Sequence, residues 1–220
     1  MTHPAEEPTT DEAVTDPVTF WENRYHDAGQ TWSGRPNAAL VREVGGLPPG
    51  RALDLGSGEG GDAIWLAQEG WSVIAVDISP SASALGARNA DAAGVGARIR
   101  WVVADLAGWQ PDGTFDLVSA QFLHSPVELP RDEILRRAAT AVAPGGLLTV
   151  VGHADFPPWS HHHPEPEALP TPDEVLRSLA LPRADWTVVT SALVDREATG
   201  PDGSTATLVD SVLTMRRLGS

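Results

Sequence analysis

The chain has 220 residues, 41% of them apolar, which is enough for one α/β domain with a substantial core and excludes a wholly disordered protein. Its net charge is −15, from 30 acidic residues against 15 basic ones, and every basic residue is arginine. The negative electrostatic field of such a chain opposes the binding of nucleic acid. The absence of lysine and cysteine excludes Schiff-base, thiol and disulfide chemistry. With no apolar run of membrane-spanning length and no signal peptide, we expect a cytoplasmic protein with no membrane partner.

The first 50 residues predict a tail followed by two helices. Residues 1–16 are rich in Glu, Asp, Thr and Pro, a composition typical of a disordered acidic tail. Phe20, Trp21 and Tyr25 recur at helical spacing, and a second helix begins at Pro36 and runs to Glu43, with Asn37 as its N-cap. The remaining chain, residues 17–220, is expected to form a single domain.

Strands and helices alternate from residue 51 onward. We predict strands at 51–55, 72–76, 98–103, 115–120, 147–152, 186–194 and 206–215, helices at 61–69, 79–92 and 131–142, and a turn at 144–146. The first five strands are apolar on both faces, which indicates a parallel sheet covered on both sides. The last two flank a Pro-Asp-Gly turn signal and predict an antiparallel hairpin. The arginines at 131–137 are interpreted as a solvated helix face.

The segment from His153 to Pro172 is the only long predicted loop, and loops of this length are often functional. It contains the triplet His161 to His163, with His153, Asp155 and two glutamates nearby. Adjacent histidines in extended chain point in alternating directions and cannot all reach one ion. A solvated loop is therefore favoured over a metal site, and no metal ligand is assigned.

A glycine turn between the first strand and the first helix after it predicts an adenosine-containing cofactor. Gly56, Gly58 and Gly61 fit G-x-G-x-x-G, and Asp77 ends the next strand, where a carboxylate can accept from both ribose hydroxyls. The glycine pattern alone permits NAD. However, Asp54 precedes the glycines and would repel a pyrophosphate, whereas it would attract the ammonium and sulfonium of S-adenosylmethionine.

These motifs together resemble those of class I S-adenosylmethionine-dependent methyltransferases. The resemblance rests on Asp54 to Gly60, Asp77, Ala104 to Leu106, Phe115 to Val118 and Pro144 to Gly146, in the family's order and spacing. It implies a Rossmann-like three-layer sandwich with a mostly parallel seven-stranded sheet in the order 3-2-1-4-5-7-6 and an antiparallel C-terminal hairpin. The segment from Phe20 to Asn37 further resembles the subgroup of tellurite-resistance and thiopurine methyltransferases, in which residues corresponding to 17–50 cover the cofactor.

The resemblance also implies roles for individual residues. Asp54 and Gly56 would lie near the methionyl amine, and Ser57 and Gly58 along the cofactor. Asp77, with Ile78, would hold the ribose, and Asp105, with Leu106, the adenine. Gln121 would lie beside the methionyl group, with Trp32 or Arg35 closing over the carboxylate end.

The expected reaction is in-line SN2 attack by a small-molecule acceptor on the methyl group of S-adenosyl-L-methionine, which leaves S-adenosyl-L-homocysteine. His124, His153 and Asp155 follow the fourth and fifth strands and are the candidate bases. The resemblance suggests a thiol or another chalcogen as the nucleophile. The alternatives are an NAD-dependent oxidoreductase and a non-catalytic cofactor- or metal-binding module, and the protein is expected to be a monomer or homodimer.

Overall fold

The computed structural model describes residues 16–28, 34–155, 158, 169–200 and 203–219. Seven strands form one sheet. In chain order they are β1 Arg51–Leu55, β2 Ser72–Asp77, β3 Ile99–Val103, β4 Phe115–Gln121, β5 Val142–His153, β6 Trp186–Thr199 and β7 Thr205–Arg217. The helices are α1 Pro17–Ala28, α2 Ala38–Val44, α3 Gly61–Gln68, α4 Pro80–Ala92, α5 Arg131–Thr140 and α6 Pro172–Leu179.

The strand order is β3-β2-β1-β4-β5-β7-β6, which confirms the predicted sheet. The pairs formed by β1 to β5 are parallel, whereas β7 is antiparallel to both β5 and β6. The chain runs outward from β1 to β3 and then returns to place β4 on the other side of β1. Such a reversal leaves a crevice at the carboxyl ends of β1 and β4, where open α/β sheets bind ligands.

Two hydrophobic layers enclose the sheet. On one face, Leu40 of α2, Leu66 of α3 and Ala90 of α4 belong to the cluster around β1 and β2. On the other face, Leu135 of α5 and Leu179 of α6 belong to a larger cluster that reaches β5 and β7. Because β1 to β5 contribute side chains from their two faces to the two clusters, the sheet lies between two helical layers and the protein is a three-layer α/β sandwich.

Several predicted boundaries were wrong. Helix α5 ends at Thr140 rather than at residue 142, and β5 begins at Val142, so the predicted turn at 144–146 lies within the strand. Helix α6 was not predicted, although Thr171 and Glu174 form a capping box with Pro172 at the first helical turn. That capping pattern is visible in the sequence and ends the predicted loop at residue 171.

The predicted tail lies outside the described residues, except for Asp16. The Asp16 carboxylate accepts a hydrogen bond of 3.0 Å from the backbone N–H of Thr19, so this residue takes part in the start of α1 instead of belonging to the tail. Most of the predicted loop, including His161 to His163, also lies outside the described residues. Among the helices of the described chain, none is long and apolar enough to cross a membrane.

Candidate functional site

The turn after β1 is built from glycines in left-handed conformations. The φ angles of Gly56, Gly58 and Gly60 are 69°, 51° and 81°, values that other residue types adopt only with strain. The N–H groups of Gly56 and Ser57 both donate to the carbonyl oxygen of Val76, at 2.9 and 3.0 Å. These bonds fix the turn against the end of β2, next to Asp77.

The indole of Trp101 packs against this turn at Gly60. A Cβ atom added at Gly60 or at Gly86 would collide with the Trp101 ring, so both positions require glycine for close packing. A Cβ at Gly61 would lie 2.9 Å from the backbone carbonyl oxygen of Arg35. The backbone of Arg35 therefore packs against the start of α3, while its side chain is exposed.

Asp54 is the most deeply buried acidic residue of the site. It is paired in register with Ser119 of β4 and Ala75 of β2, and Asp77 lies two residues after Ala75, so the two carboxylates share one face of the sheet. Only 2% of Asp54 is exposed, and its Oδ2 has no hydrogen-bond partner among the described residues. Burial, together with Asp62 and Asp77, raises the pKa of Asp54 well above its usual range.

The carboxylate of Asp77 links the glycine turn to the N-cap of α4. One oxygen accepts from the N–H of Gly58 at 2.7 Å and the other from the N–H of Ser79 at 2.9 Å. Burial raises the pKa of Asp77, although these hydrogen bonds oppose the rise. Each carboxylate oxygen has two lone-pair sites, so both oxygens retain the capacity to accept one further hydrogen bond.

A third carboxylate, Asp62, was not assigned to the site from the sequence. It lies in the first turn of α3 and accepts a 2.6 Å hydrogen bond from the N–H of Asn37, the N-cap of α2. Burial raises the pKa of Asp62 to about 6. Its position directly after the glycines was the available signal, but a first-turn aspartate is also common in helices with no ligand.

Two further oxygen atoms near the ends of β1 and β4 are buried with no hydrogen-bond partner among the described residues. They are the Oγ of Ser57 and the Oε1 of Gln121. The amide nitrogen of Gln121 donates to the Oγ of Ser119 at 3.0 Å, which fixes the orientation of its side chain. Together with Oδ2 of Asp54, these atoms are acceptors without donors, an arrangement suited to a ligand rich in N–H and O–H groups.

The ends of β2 and β3 are more open. Ile78 is partly buried, and Val103 is 51% exposed at the last position of β3. Asp105 is exposed, and its Oδ1 accepts a 2.8 Å hydrogen bond from the N–H of Ala107. Leu106 is buried and belongs to the larger hydrophobic cluster. Ile78 and Val103 thus leave some apolar surface at the ends of β2 and β3, and Asp105 follows on the exposed side.

The structure brings His124 and His153 together beyond β4 and β5. The N–H of His153 donates to Nε2 of His124 at 3.3 Å, and the two rings are stacked with centroids 5.8 Å apart. The ring of His153 also stacks on Phe122 at 4.3 Å, and Phe122 has a positive φ of 51°. Strained non-glycine residues of this kind cluster at functional sites.

The surroundings of these histidines reduce their basicity. Burial, the positive charge of Arg131 and the nearby His153 lower the pKa of His124 to about 4. Burial also lowers the pKa of His153, against the attraction of Asp210. Both imidazoles are therefore neutral near pH 7 and are weak bases. Asp155, the third candidate base, is exposed.

Helix α1 lies over the same region. Nε1 of its Trp21 donates to the Oγ of Ser125 at 3.3 Å, next to His124. The carboxylate of Glu22 accepts from the Oγ of Ser79 at 2.6 Å and from the N–H of Ser81 at 3.1 Å. Glu22 was missed in the sequence because its partners lie 57 and 59 positions away. Trp32, the other predicted closing residue, lies outside the described residues.

The interpretation of residues 131–137 as a solvated helix face was wrong for Arg131. Its side chain is only partly exposed, and its Nε atom is buried with no hydrogen-bond partner in the described part of the chain. The pattern of charges on α5 gave no indication of this, because the residues near the guanidinium, Gly152 of β5 and His124 after β4, lie outside the helix. Arg136, on the same helix, is exposed as expected.

The described residues contain no cluster of three or more His, Asp or Glu side chains that could hold a metal ion. The histidine triplet at 161–163 lies outside the range that this statement covers. The arrangement at the carboxyl edge is thus an acidic pocket around the glycine turn, adjoining a neutral histidine pair and an arginine.

Comparison with known proteins finds a family model that is similar to the central part of the chain. Residues 52–146 match the family model described as a methyltransferase domain. The 2-heptyl-1-hydroxyquinolin-4(1H)-one methyltransferase of Mycobacteroides abscessus is 32% identical over 146 residues, which are 62% of this chain and 63% of that protein. The chain thus spans less than two thirds of the length of this relative.

Solved structures show a similar fold over most of the chain. A structure from work on the conversion of a disulfide bond into a thioacetal group during echinomycin biosynthesis has a TM-score of 0.68 and 24% identity, covering 91% of this chain and 93% of that one. TehB from Haemophilus influenzae has a TM-score of 0.62 and 16% identity, covering 90% and 67%. At these identities the likeness establishes the fold alone. Residues 52–146, which include nearly all of β1 to β4 of this sheet, are thus similar to a methyltransferase domain.

Proposed function

We propose that this chain transfers a methyl group from S-adenosylmethionine to a small-molecule acceptor whose attacking atom is sulfur or another soft chalcogen, heavier than oxygen. The main support is the buried carboxyl group of Asp54, whose Oδ2 has no partner among the described residues and which lies among Asp62 and Asp77 at the glycine turn. A group of acidic side chains of this kind is costly to bury unless a cationic ligand compensates it. Its location within the methyltransferase domain indicates which ligand.

The acidic pocket discriminates between the two cofactors that the glycine pattern permits. The pyrophosphate of NAD would add negative charge beside Asp54, which Asp62 and Asp77 already repel. The ammonium and sulfonium of S-adenosylmethionine would instead be attracted. When bound, S-adenosylmethionine supplies an activated methyl group on its sulfonium centre. An oxidoreductase and a non-catalytic module are therefore not favoured.

The buried acceptors define how the chain would hold this cofactor. Asp54 would accept hydrogen bonds from the methionyl ammonium, with Oε1 of Gln121 and Oγ of Ser57 available for further donors. Asp77 would use the remaining lone pairs of its two oxygens for the ribose hydroxyls. These roles explain why three polar oxygens are buried without partners among the described residues.

The adenine and the carboxylate ends have fewer fixed groups. Ile78 would flank the base, with Leu106 limited to the small part of its surface that is exposed, and Asp105 at the rim would accept from the adenine amino group. Gly56 and Gly58 allow close approach of the backbone. Arg35 and Trp32 would close over the carboxylate end, and residues 17–50 would form the cover.

The weak basicity of the histidines favours an acceptor that needs little deprotonation. At a pKa of about 4, His124 is a poor match for removing a proton from an alcohol or an ammonium near pH 7. A thiol or a chalcogen oxyanion arrives ionised or nearly so. The chain's contribution to the reaction is then alignment and exclusion of water, and α1 supports both through Trp21 and Glu22.

One of the relatives supports a small acceptor. The Mycobacteroides abscessus relative is a methyltransferase of a hydroxyquinolone, which is a small molecule. The charge of −15 opposes binding of a nucleic acid substrate. We further propose that the chain is closest to the tellurite-resistance and thiopurine methyltransferase subgroup, on the basis of its motif at residues 20–37 and the shared fold of TehB.

A screen of methyl-donor consumption tests the proposed function. S-Adenosylhomocysteine formation is measured at pH 7.5 with small thiols, chalcogen oxyanions, phenols and amines. We expect turnover with at least one thiol or chalcogen oxyanion, and loss of that turnover at limiting donor in Asp77→Ala. A matched control, Asp112→Asn, removes an exposed carboxylate outside the site and should retain activity. Turnover with phenols or amines alone would contradict the chalcogen assignment, and no turnover with any class would contradict the proposed activity.

A further inference from the structure

Arg131 is held close to His124 at the acceptor side of the sheet. It is the first residue of α5, and its backbone N–H donates to the carbonyl oxygen of Leu129 at 2.7 Å. A Cβ atom at Gly152 would lie 4.0 Å from Nη2 of Arg131 and 2.8 Å from Nε2 of His124. The guanidinium and the imidazole therefore converge above Gly152, at the carboxyl end of β5. The small residue at this position leaves room for both.

The guanidinium of Arg131 has no anionic partner within the described residues. Its Nε is buried without a hydrogen bond, and none of the ion pairs formed by the described residues includes it. Burial lowers the pKa of Arg131, and Asp132 partly opposes this through its charge without approaching to ion-pair distance. Buried charged groups are normally paired, because an unpaired one loses its hydration without compensation.

A second arginine at the same end of the sheet shows the usual arrangement. Arg196 contacts Asp210 through two nitrogens, with Nε to Oδ2 at 2.7 Å and Nη2 to Oδ1 at 3.2 Å. Its guanidinium also lies over the ring of Phe122, at 5.6 Å from the centroid. Arg196 is thus neutralised within the protein. Of these two arginines, Arg131 is the one whose charge is left available to a ligand by the residues that the structure describes.

His124, whose ring lies near Arg131 above Gly152, carries a second donor. Its Nε2 accepts the N–H of His153, and a neutral imidazole with one nitrogen accepting has its proton on the other. Nδ1 of His124 is consequently a donor. A guanidinium and an imidazole N–H together provide only donors, which is the requirement for binding a group that has several oxygen lone pairs and a negative charge.

We propose that Arg131 and His124 form an anion-binding subsite that holds an anionic oxygen group of the methyl acceptor, a carboxylate or an inorganic oxyanion. The assignment of this anion to the acceptor rests on the proposed function, because the donor pocket lies around Asp54 and Gly56 and the subsite lies beyond β4 and β5. The two pockets have opposite charge. The cofactor would be selected by the acidic side and the acceptor by the basic side.

The subsite is tested by the binding of simple anions to the full chain. Calorimetry measures the affinity for benzoate, for sulfate and for benzyl alcohol, a neutral analogue of benzoate, at constant ionic strength, with and without S-adenosylhomocysteine. We expect benzoate or sulfate to bind and benzyl alcohol to bind at least 10-fold more weakly, since charge-assisted hydrogen bonds are worth roughly this factor or more. Preference for benzoate indicates an organic carboxylate, and preference for sulfate indicates an inorganic oxyanion.

Variants then assign the binding to Arg131. Arg131→Gln should lose at least about 10-fold in anion affinity, and Arg131→Lys should lose less, because it keeps the charge without the bidentate geometry. Arg136→Gln is the matched control on the same helix, since Arg136 is exposed and its Nη1 contacts only the carbonyl oxygen of Ser178 among the described residues. Circular dichroism and thermal melting verify that each variant folds.

The outcomes separate the subsite from the proposed function. Anion affinity that is equal in wild type and Arg131→Gln, or equal for benzoate and benzyl alcohol, would overturn the subsite. If Arg131→Gln does not fold, the Arg131→Lys variant and the comparison of benzoate with benzyl alcohol in the wild type decide the question. Anion binding in a protein that does not bind S-adenosylhomocysteine would support the subsite and contradict the proposed function. Binding of S-adenosylhomocysteine without any anion binding would support the proposed function and contradict the subsite.

Discussion

Replacing Asp54 with asparagine should make the ligand-free protein more stable and the cofactor complex weaker. The side chain is 2% exposed, its Oδ2 has no partner among the described residues, and the charges of Asp62 and Asp77 repel it. An amide of nearly the same shape removes the buried charge without leaving a cavity. The same amide places N–H donors next to the methionyl ammonium, which is also a donor, so the complex loses a hydrogen bond between charged groups.

The size of both effects follows from the burial of this group. The penalty on ionised Asp54 comes from burial and from the charges of Asp62 and Asp77, and each unit by which a pKa is raised costs about 1.4 kcal/mol, so Asp54→Asn should stabilise the ligand-free protein by at least about 1 kcal/mol. For a chain of this length, each kcal/mol corresponds to a rise of roughly 2–4 °C in Tm. Loss of a hydrogen bond between charged groups should weaken binding of S-adenosylhomocysteine by about 1.5–3 kcal/mol, or roughly 10- to 150-fold.

Thermal melts with and without S-adenosylhomocysteine at pH 7.5, together with calorimetry, measure the two effects on the same protein. The control is Asp112→Asn, which removes the same charge from an exposed position. We expect the control to change Tm and affinity little. A less stable Asp54→Asn protein that binds S-adenosylhomocysteine as tightly as wild type would refute the reasoning, because it would make Asp54 a structural carboxylate.

Three further predictions concern the residues around the site. Burial raises the pKa of Asp62 from 3.8 to about 6, so ionised Asp62 opposes folding as the pH rises through this range. In denaturant unfolding, the free energy of unfolding of Asp62→Asn should exceed that of wild type by near zero at pH 4 and by about 3 kcal/mol at pH 8. A difference that does not change with pH would contradict this. Gly86→Ala should destabilise the protein, although alanine favours helices by about 1 kcal/mol, because its Cβ meets the indole of Trp101. The double variant with Trp101→Leu should recover the loss caused by Gly86→Ala, as measured by a double-mutant cycle, and additive effects would exclude the contact. Glu22→Ala should increase hydrogen exchange of the α1 amides and lower the free energy of unfolding by about 1 kcal/mol, since it removes the contacts to the start of α4. Unchanged exchange in α1 would show that this helix is held by its aromatic side chains alone.

The parts of the fold that depend on neighbouring residues were predictable from the sequence. Strand β1 and the helix that Ser79 caps have the bounds expected from their apolar runs and capping residues. The glycine turn was recognised from Gly56, Gly58 and Gly61, of which Gly56 and Gly58 are left-handed; the third left-handed position is Gly60, and Gly61 needs glycine because the backbone of Arg35 approaches it. Helix α6 could also have been predicted, since the capping box between Thr171 and Glu174 is a local signal.

The missed site residues depend on partners that are distant in the chain. Glu22 is one of several acids near the N-terminus, and only the folded chain shows that it binds Ser79 at the start of α4. Arg131 lies in a helix with alternating charges, and its burial follows from the approach of Gly152 and His124. The low basicity of His124 likewise comes from burial and from the charge of Arg131, neither of which the sequence specifies.

Calorimetric titration of the full chain with S-adenosylhomocysteine and with NAD tests the central claim most directly. The acidic pocket around Asp54, Asp62 and Asp77 predicts binding of S-adenosylhomocysteine, which has the methionyl ammonium, and at least about 100-fold weaker binding of NAD, whose pyrophosphate these carboxylates repel. Tight binding of NAD with no binding of S-adenosylhomocysteine would contradict the claim and return the glycine turn to the dinucleotide class.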